Sequence, residues 1–97
     1  MFGNVAVIGS GTMGAGIAQV CAAAGSTVQL NDTSQEFLDR AMGRIEAFLT
    51  KGVAKGKITS EQKAATLANL HTTVDLDAAV KNAEIVIESV PEDAQLK

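Results

Sequence analysis

The sequence predicts an α/β chain organised as a doubly wound parallel sheet, and three observations carry that prediction. Short apolar runs of strand character, NVAVI at Asn4 to Ile8 and EIVIESV at Glu84 to Val90, alternate with stretches of helical periodicity, the pattern of βαβ units. A glycine-rich turn stands between the first run and the first helical stretch. An acid, Asp32, closes the second run.

Asn4 to Ile8 is apolar and β-branched without alternation, as expected of a strand covered on both faces. From Thr12 the period changes. Met13, Ile17, Val20 and Ala24 share one helical face, and Gly25 stands where a left-handed C-cap is wanted, so a helix is expected to end near Ala24. Thr27 to Leu30 reads as a second, parallel strand, because the intervening chain is long enough for a right-handed crossover. Thr33 and Glu36 have capping-box spacing. Behind them Phe37, Ala41, Ile45 and Phe48, with Leu38, Met42 and Leu49, form a wide apolar face on a long helix expected to reach about Thr50. That width points to burial against a second domain or subunit. The segment KGVAKGK, Lys51 to Lys57, is the expected turn, and Thr59 with Gln62 makes another capping box ahead of Ala64, Leu67 and Ala68. The two helices form a hairpin over about 34–69. Leu70 to Val74 is expected to be a short third strand, Leu76 to Lys81 a helical turn or two, and Glu84 to Val90 a fourth strand stopped by Pro91.

Composition narrows the function. With 46% apolar residues and a net charge of -3, the chain reads as one globular unit. Only eight Lys and Arg in 97 residues argue against a nucleic-acid surface. One cysteine, Cys21, in an apolar stretch allows no disulfide framework, and no metal-ligand spacing is present. The glycine-broken N-terminus fits neither a signal peptide nor a membrane span, so the expected location is cytoplasmic. A complete dinucleotide domain needs about six strands and the chain has room for about four, so it is expected to be truncated.

The turn Gly9-Ser10-Gly11-Thr12-Met13-Gly14 matches G-x-G-x-x-G. Gly9 permits the tight strand-to-helix turn, Gly11 lets backbone approach a pyrophosphate, and Gly14 lets the helix lie close on the strand. The diphosphate would meet free N–H groups at a helix N-terminus, where the macrodipole favours negative charge. Asp32 follows about 20 residues later, where a carboxylate accepts ribose hydroxyls and repels a 2′-phosphate. Arg40 lies about two helical turns beyond it. NAD rather than NADP is the expected cofactor, held by Gly9, Ser10, Gly11, Thr12, Met13, Gly14 and Asp32 in a Rossmann-type fold with a helical hairpin inserted between strands 2 and 3.

Taken together, NVAVIGSGTMGAGIAQVCAAAG, VQLND, the lysine-bearing hairpin and EIVIESVPEDAQLK make the chain resemble the N-terminal NAD-binding region of the 3-hydroxyacyl-CoA dehydrogenase family, of 3-hydroxybutyryl-CoA dehydrogenase type. The resemblance runs over essentially the whole chain and is most specific at GSGTMGAGIAQ and at the inserted hairpin. It implies residues 1–97 as the N-terminal part of a Rossmann domain, with a C-terminal substrate and dimerisation domain lying outside them. It implies interconversion of 3-hydroxyacyl-CoA and 3-oxoacyl-CoA in fatty-acid or butanoate metabolism, with NAD carrying the hydride, in a homo-oligomer, a dimer by family pattern. By the same resemblance Glu92 and Lys97 approach the ribose and nicotinamide end of the cofactor. Lys51 and Lys55, with Lys57, match basic positions that reach towards the CoA of the substrate. Phe48 departs from the small hydroxyl residue that the family often carries there. The family's catalytic His and its orienting Glu have no counterpart, so no catalytic residue is assigned in this segment. His71, the single histidine, reads as structural or surface, and Glu88 is left between a buried pair and the cofactor site. Two other readings stay open at this point: another β-hydroxyacid dehydrogenase of gulonate type, and a non-catalytic dinucleotide-binding or structural protein.

Overall fold

The computed structural model describes residues 3–89. Along the chain run β1 (Asn4–Ile8), α1 (Thr12–Ala23), β2 (Thr27–Asn31), α2 (Gln35–Ala54), α3 (Ser60–Ala68), β3 (Leu70–Thr73), α4 (Leu76–Val80) and β4 (Ile85–Glu88). The four strands form one parallel sheet in the order β3-β2-β1-β4. The crossover from β3 back past β1 to β4 reverses the direction of winding, which for right-handed connections sends α4 to the face opposite α1. Contacts agree, since α1 packs with α2 and α3, whereas α4 packs on the strands. Covered on both sides, Val5, Ala6 and Val7 of β1 are buried, as are Val28 and Leu30 of β2.

Helix α1 buries a different face from the expected one. Gly14, Ala15, Ala18 and Ala22 turn inward, while Met13 and Val20 are 63% and 67% exposed. Small residues win the interface because they let the helix axis approach the sheet, and the larger side chains would hold it off. Gly25, in the left-handed region at φ 107°, ends the helix. Asn69 then reaches from the end of α3 and donates through Nδ2 to the carbonyl of Ala22 at 3.0 Å.

The start of α2 also differs. Ser34, not Thr33, is the N-cap, and its hydroxyl accepts from the N–H of Glu36 at 3.1 Å. Thr33 instead gives its N–H and hydroxyl to Asp32. The helix runs on to Ala54, placing Lys51 in its last turn, and the reversal falls at Gly56 with φ 74°. Gly52, inside the helix rather than in the expected turn, faces Ile58, where a Cβ would come to 3.3 Å. Leu38, Ala41, Ile45 and Leu49 are buried, and each large one contributes about 1.5–3 kcal/mol relative to exposure. Phe37 and Phe48, placed on the same wide face by periodicity, are exposed among the described residues. Thr59 and Gln62 form the capping box of α3.

Candidate functional site

At the carboxyl ends of β1 and β2, beside the point where the strand order reverses, a cleft of about 760 Å³ opens. Such crevices are where open α/β sheets bind ligands. The glycine turn forms its floor. The N–H of Gly9 donates to the carbonyl of Asn31 at 2.8 Å, tying the turn to the end of β2. Gly9 sits at φ 100°, and a Cβ there would come within 2.5 Å of the Ser89 carbonyl oxygen. A Cβ on Gly14 would overlap the Gly9 carbonyl oxygen, so helix and turn touch without room for a methyl group. Gly11 is the N-cap of α1, has no side-chain cap, and has open space where its Cβ would be. Thr12 and Met13, the first residues of α1, are exposed to the cleft.

Ser10 also lines the cleft, with its donors turned to Asp32. It is 2% exposed, and both its N–H and its hydroxyl donate to Oδ2 of Asp32, at 2.8 and 2.6 Å. Oδ1 of Asp32 accepts from the N–H and hydroxyl of Thr33 at 2.7 and 3.3 Å. Partial burial pushes the Asp32 carboxyl up, but the bonds from Ser10 and Thr33 outweigh it and hold the group below its ordinary value. Asp32 is therefore an anion at neutral pH, with Oδ1 less fully engaged than Oδ2.

Two arginines line the same cleft, and spacing alone gave no sign that both would. Arg44 donates through Nη2 to the carbonyl of Ser10 at 3.2 Å, and Arg40 pairs with Glu36 at 2.7 Å. Glu88, at the end of β4, is exposed and also lines the cleft, as does Phe37. Lys51, Lys55 and Lys57 are exposed at the far end of α2 and its turn, away from the cleft lining. His71 lies exposed on the outer strand β3, opposite Gln29, and does not line the cleft. Glu92 and Lys97 lie outside the described residues. Among the described residues no helix is long and apolar enough to cross a membrane.

Chemically, the arrangement offers a helix N-terminus with no side-chain cap, glycine backbone at Gly9, Gly11 and Gly14, and a carboxylate at the end of β2 lining the same cleft. A dinucleotide diphosphate with its adenosine ribose fits that set of groups. Comparison with known proteins agrees. Residues 4–97 match the family model described as "3-hydroxyacyl-CoA dehydrogenase, NAD binding domain". A 3-hydroxyadipyl-CoA dehydrogenase of Escherichia coli K12 is 47% identical over 94 residues, covering 97% of this chain and 20% of that protein. The mitochondrial hydroxyacyl-coenzyme A dehydrogenase of Rattus norvegicus is 43% identical over 100 residues, covering 97% of this chain and 32% of that protein. The crystal structure of 3-hydroxybutyryl-CoA dehydrogenase from Escherichia coli K12 superposes with a TM-score of 0.90 at 45% identity, over 99% of this chain and 20% of that one. The chain thus spans a fifth to a third of the length of these relatives.

Proposed function

Because the chain belongs to the NAD-binding domain family of 3-hydroxyacyl-CoA dehydrogenases, we propose that it is the cofactor-holding part of an oxidoreductase that interconverts 3-hydroxyacyl-CoA and 3-oxoacyl-CoA. The observation that carries the reading is the uncapped start of α1 at Gly11, open to the same cleft that the ionised Asp32 lines. When bound, NAD supplies a nicotinamide that accepts or donates the hydride. This chain's residues do the holding. The amides at Gly11, Thr12 and Met13 face the diphosphate, and Gly9 and Gly14 keep the turn close enough to β1 for that approach. Asp32 accepts an adenosine ribose hydroxyl through Oδ1, displacing the long bond from Thr33. Glu92 and Lys97 belong to the proposed nicotinamide end.

For the substrate, Lys51 and Lys55 are proposed to meet the phosphates of CoA. Their exposure on the last turn of α2 and its C-cap leaves their charges free to do so. The 3-hydroxyadipyl-CoA and hydroxyacyl-coenzyme A dehydrogenases among the relatives favour this over a sugar-acid substrate. A homo-oligomer, most simply a dimer, and a cytoplasmic location complete the proposal; the single cysteine, with no disulfide framework, supports the second. The test is fluorescence titration of the complete enzyme with NADH, followed by oxidation assays with 3-hydroxybutyryl-CoA and with a 3-hydroxy sugar acid. Turnover of the sugar acid alone would refute the substrate assignment, and failure to bind NADH would refute the whole reading.

A further inference from the structure

The glycine turn is held by side chains that come from two other elements. Asp32, just past β2, accepts from the N–H and hydroxyl of Ser10, and Arg44, in the middle of α2, donates to the Ser10 carbonyl. A trans peptide unit is planar, so a carbonyl and the N–H that follows it point in opposite directions. No peptide bond among the described residues is cis. Asp32 therefore fixes the Gly9–Ser10 plane, with the Gly9 carbonyl turned against Gly14, where a Cβ would overlap it. Arg44 fixes the next plane. With the Ser10 carbonyl drawn towards α2, the Gly11 N–H must point away from α2, at the residue that caps α1 and has open space around it.

We infer that Arg44 is a positioning residue of the cofactor site, pinning the Ser10–Gly11 peptide plane so that the Gly11 amide is set for a phosphate oxygen before a dinucleotide arrives. The inference rests on the NAD reading above and adds a residue from the inserted hairpin to it. Gly11 has no Cβ and can rotate its flanking peptide planes cheaply, so without an external hold the amide would be one of several orientations. A donor carried by a long helix restricts that freedom in advance, which is the general route by which preorganisation raises affinity. Arg40, the other arginine on the cleft, is engaged with Glu36 and does not duplicate the contact.

The test uses the complete enzyme, wild type beside Arg44→Met and Arg44→Lys, with dissociation constants for NADH, ADP-ribose and adenosine. Titrations are made at about 0.5 M salt, where exposed charges act over only a few ångströms. Arg44→Met is expected to weaken NADH and ADP-ribose about three- to tenfold, the scale of one ordinary net hydrogen bond because the contact acts on the cofactor only through the peptide plane, and to leave adenosine unchanged. Arg44→Lys keeps a cationic donor and is expected to recover most of the loss. Unchanged NADH affinity in Arg44→Met overturns the inference. So does an equal loss for adenosine, which means general distortion, or a loss seen only at low salt, which means charge attraction alone. A lysine variant as weak as the methionine one counts against it too. Wild type that fails to bind NADH sinks the NAD reading instead, so the two failures are distinguishable.

Discussion

Replacing Asp32 by Ala tests the centre of the site. The carboxylate is ionised, lies at the end of β2, and lines the cleft together with Arg40 and Arg44. Like charges about 4 Å apart repel by about 1 kcal/mol in water and about 4 kcal/mol at an effective dielectric of 20. The partial exposure of Asp32 and the two nearby guanidinium groups pull the value towards the lower figure. NADH should therefore bind the wild type more tightly than NADPH by roughly fivefold, and at most several hundredfold. In Asp32→Ala two things change. The ribose loses a charge-assisted acceptor worth about 1.5–3 kcal/mol, so NADH weakens by about tenfold or more. NADPH loses its repulsion and keeps the two arginines, so its affinity falls less or rises. The ratio between cofactors should collapse to within about twofold or invert. Calorimetric titration of wild type and variant with both cofactors measures all four constants. Equal wild-type affinities, or a ratio that survives the substitution, would refute the reasoning.

The glycines of the turn separate by role. Gly14→Ala places a methyl group on the Gly9 carbonyl and should destabilise the protein by about 2–4 kcal/mol in a denaturant melt, whereas Gly11→Ala, with open space at the site, should leave the melt nearly unchanged and weaken NADH. Ser10→Ala tests the hold on Asp32. Because the folded-state pKa is lowered, this carboxylate contributes stability at pH values above the ordinary carboxylate range, and the contribution is lost as pH falls through the lowered folded value. The melting-temperature gap between wild type and Ser10→Ala should therefore be present at about pH 7 and narrow in strong acid; a gap independent of pH would mean packing, not the carboxylate, is what the serine serves. Substituting Lys51 and Lys55 together by Ala should raise KM for the acyl-CoA with kcat and KM for NADH unchanged, an effect of at most about fivefold per lysine that fades with salt. Steady-state kinetics at low and high salt would show it, and an unchanged acyl-CoA KM at low salt returns these lysines to a solvated turn.

Much of this architecture was legible in the amino-acid order because it depends on neighbours in the chain. The run NVAVI, the glycine spacing from Gly9 to Gly14, Asp32 at the end of the next strand, and the Thr59 and Gln62 box each encode a local conformation within a few residues. The inserted hairpin and the parallel sheet followed from those pieces. Periodicity failed where two surfaces had to meet. It put Met13 and Val20 on the buried face of α1, whereas Ala15, Ala18 and Ala22 pack there, because the closeness of helix and sheet favours small residues over apolar large ones. It took Thr33 for the cap of α2, although its N–H and hydroxyl are drawn to Asp32 and the cap passes to Ser34. The part of Ser10 in orienting Asp32, and the reach of Arg44 to a carbonyl 34 residues earlier, exist only once β2 and α2 are laid beside the turn. A hydrogen bond between segments distant in sequence leaves no spacing to read, since its geometry is set by where the packed core carries the two backbones.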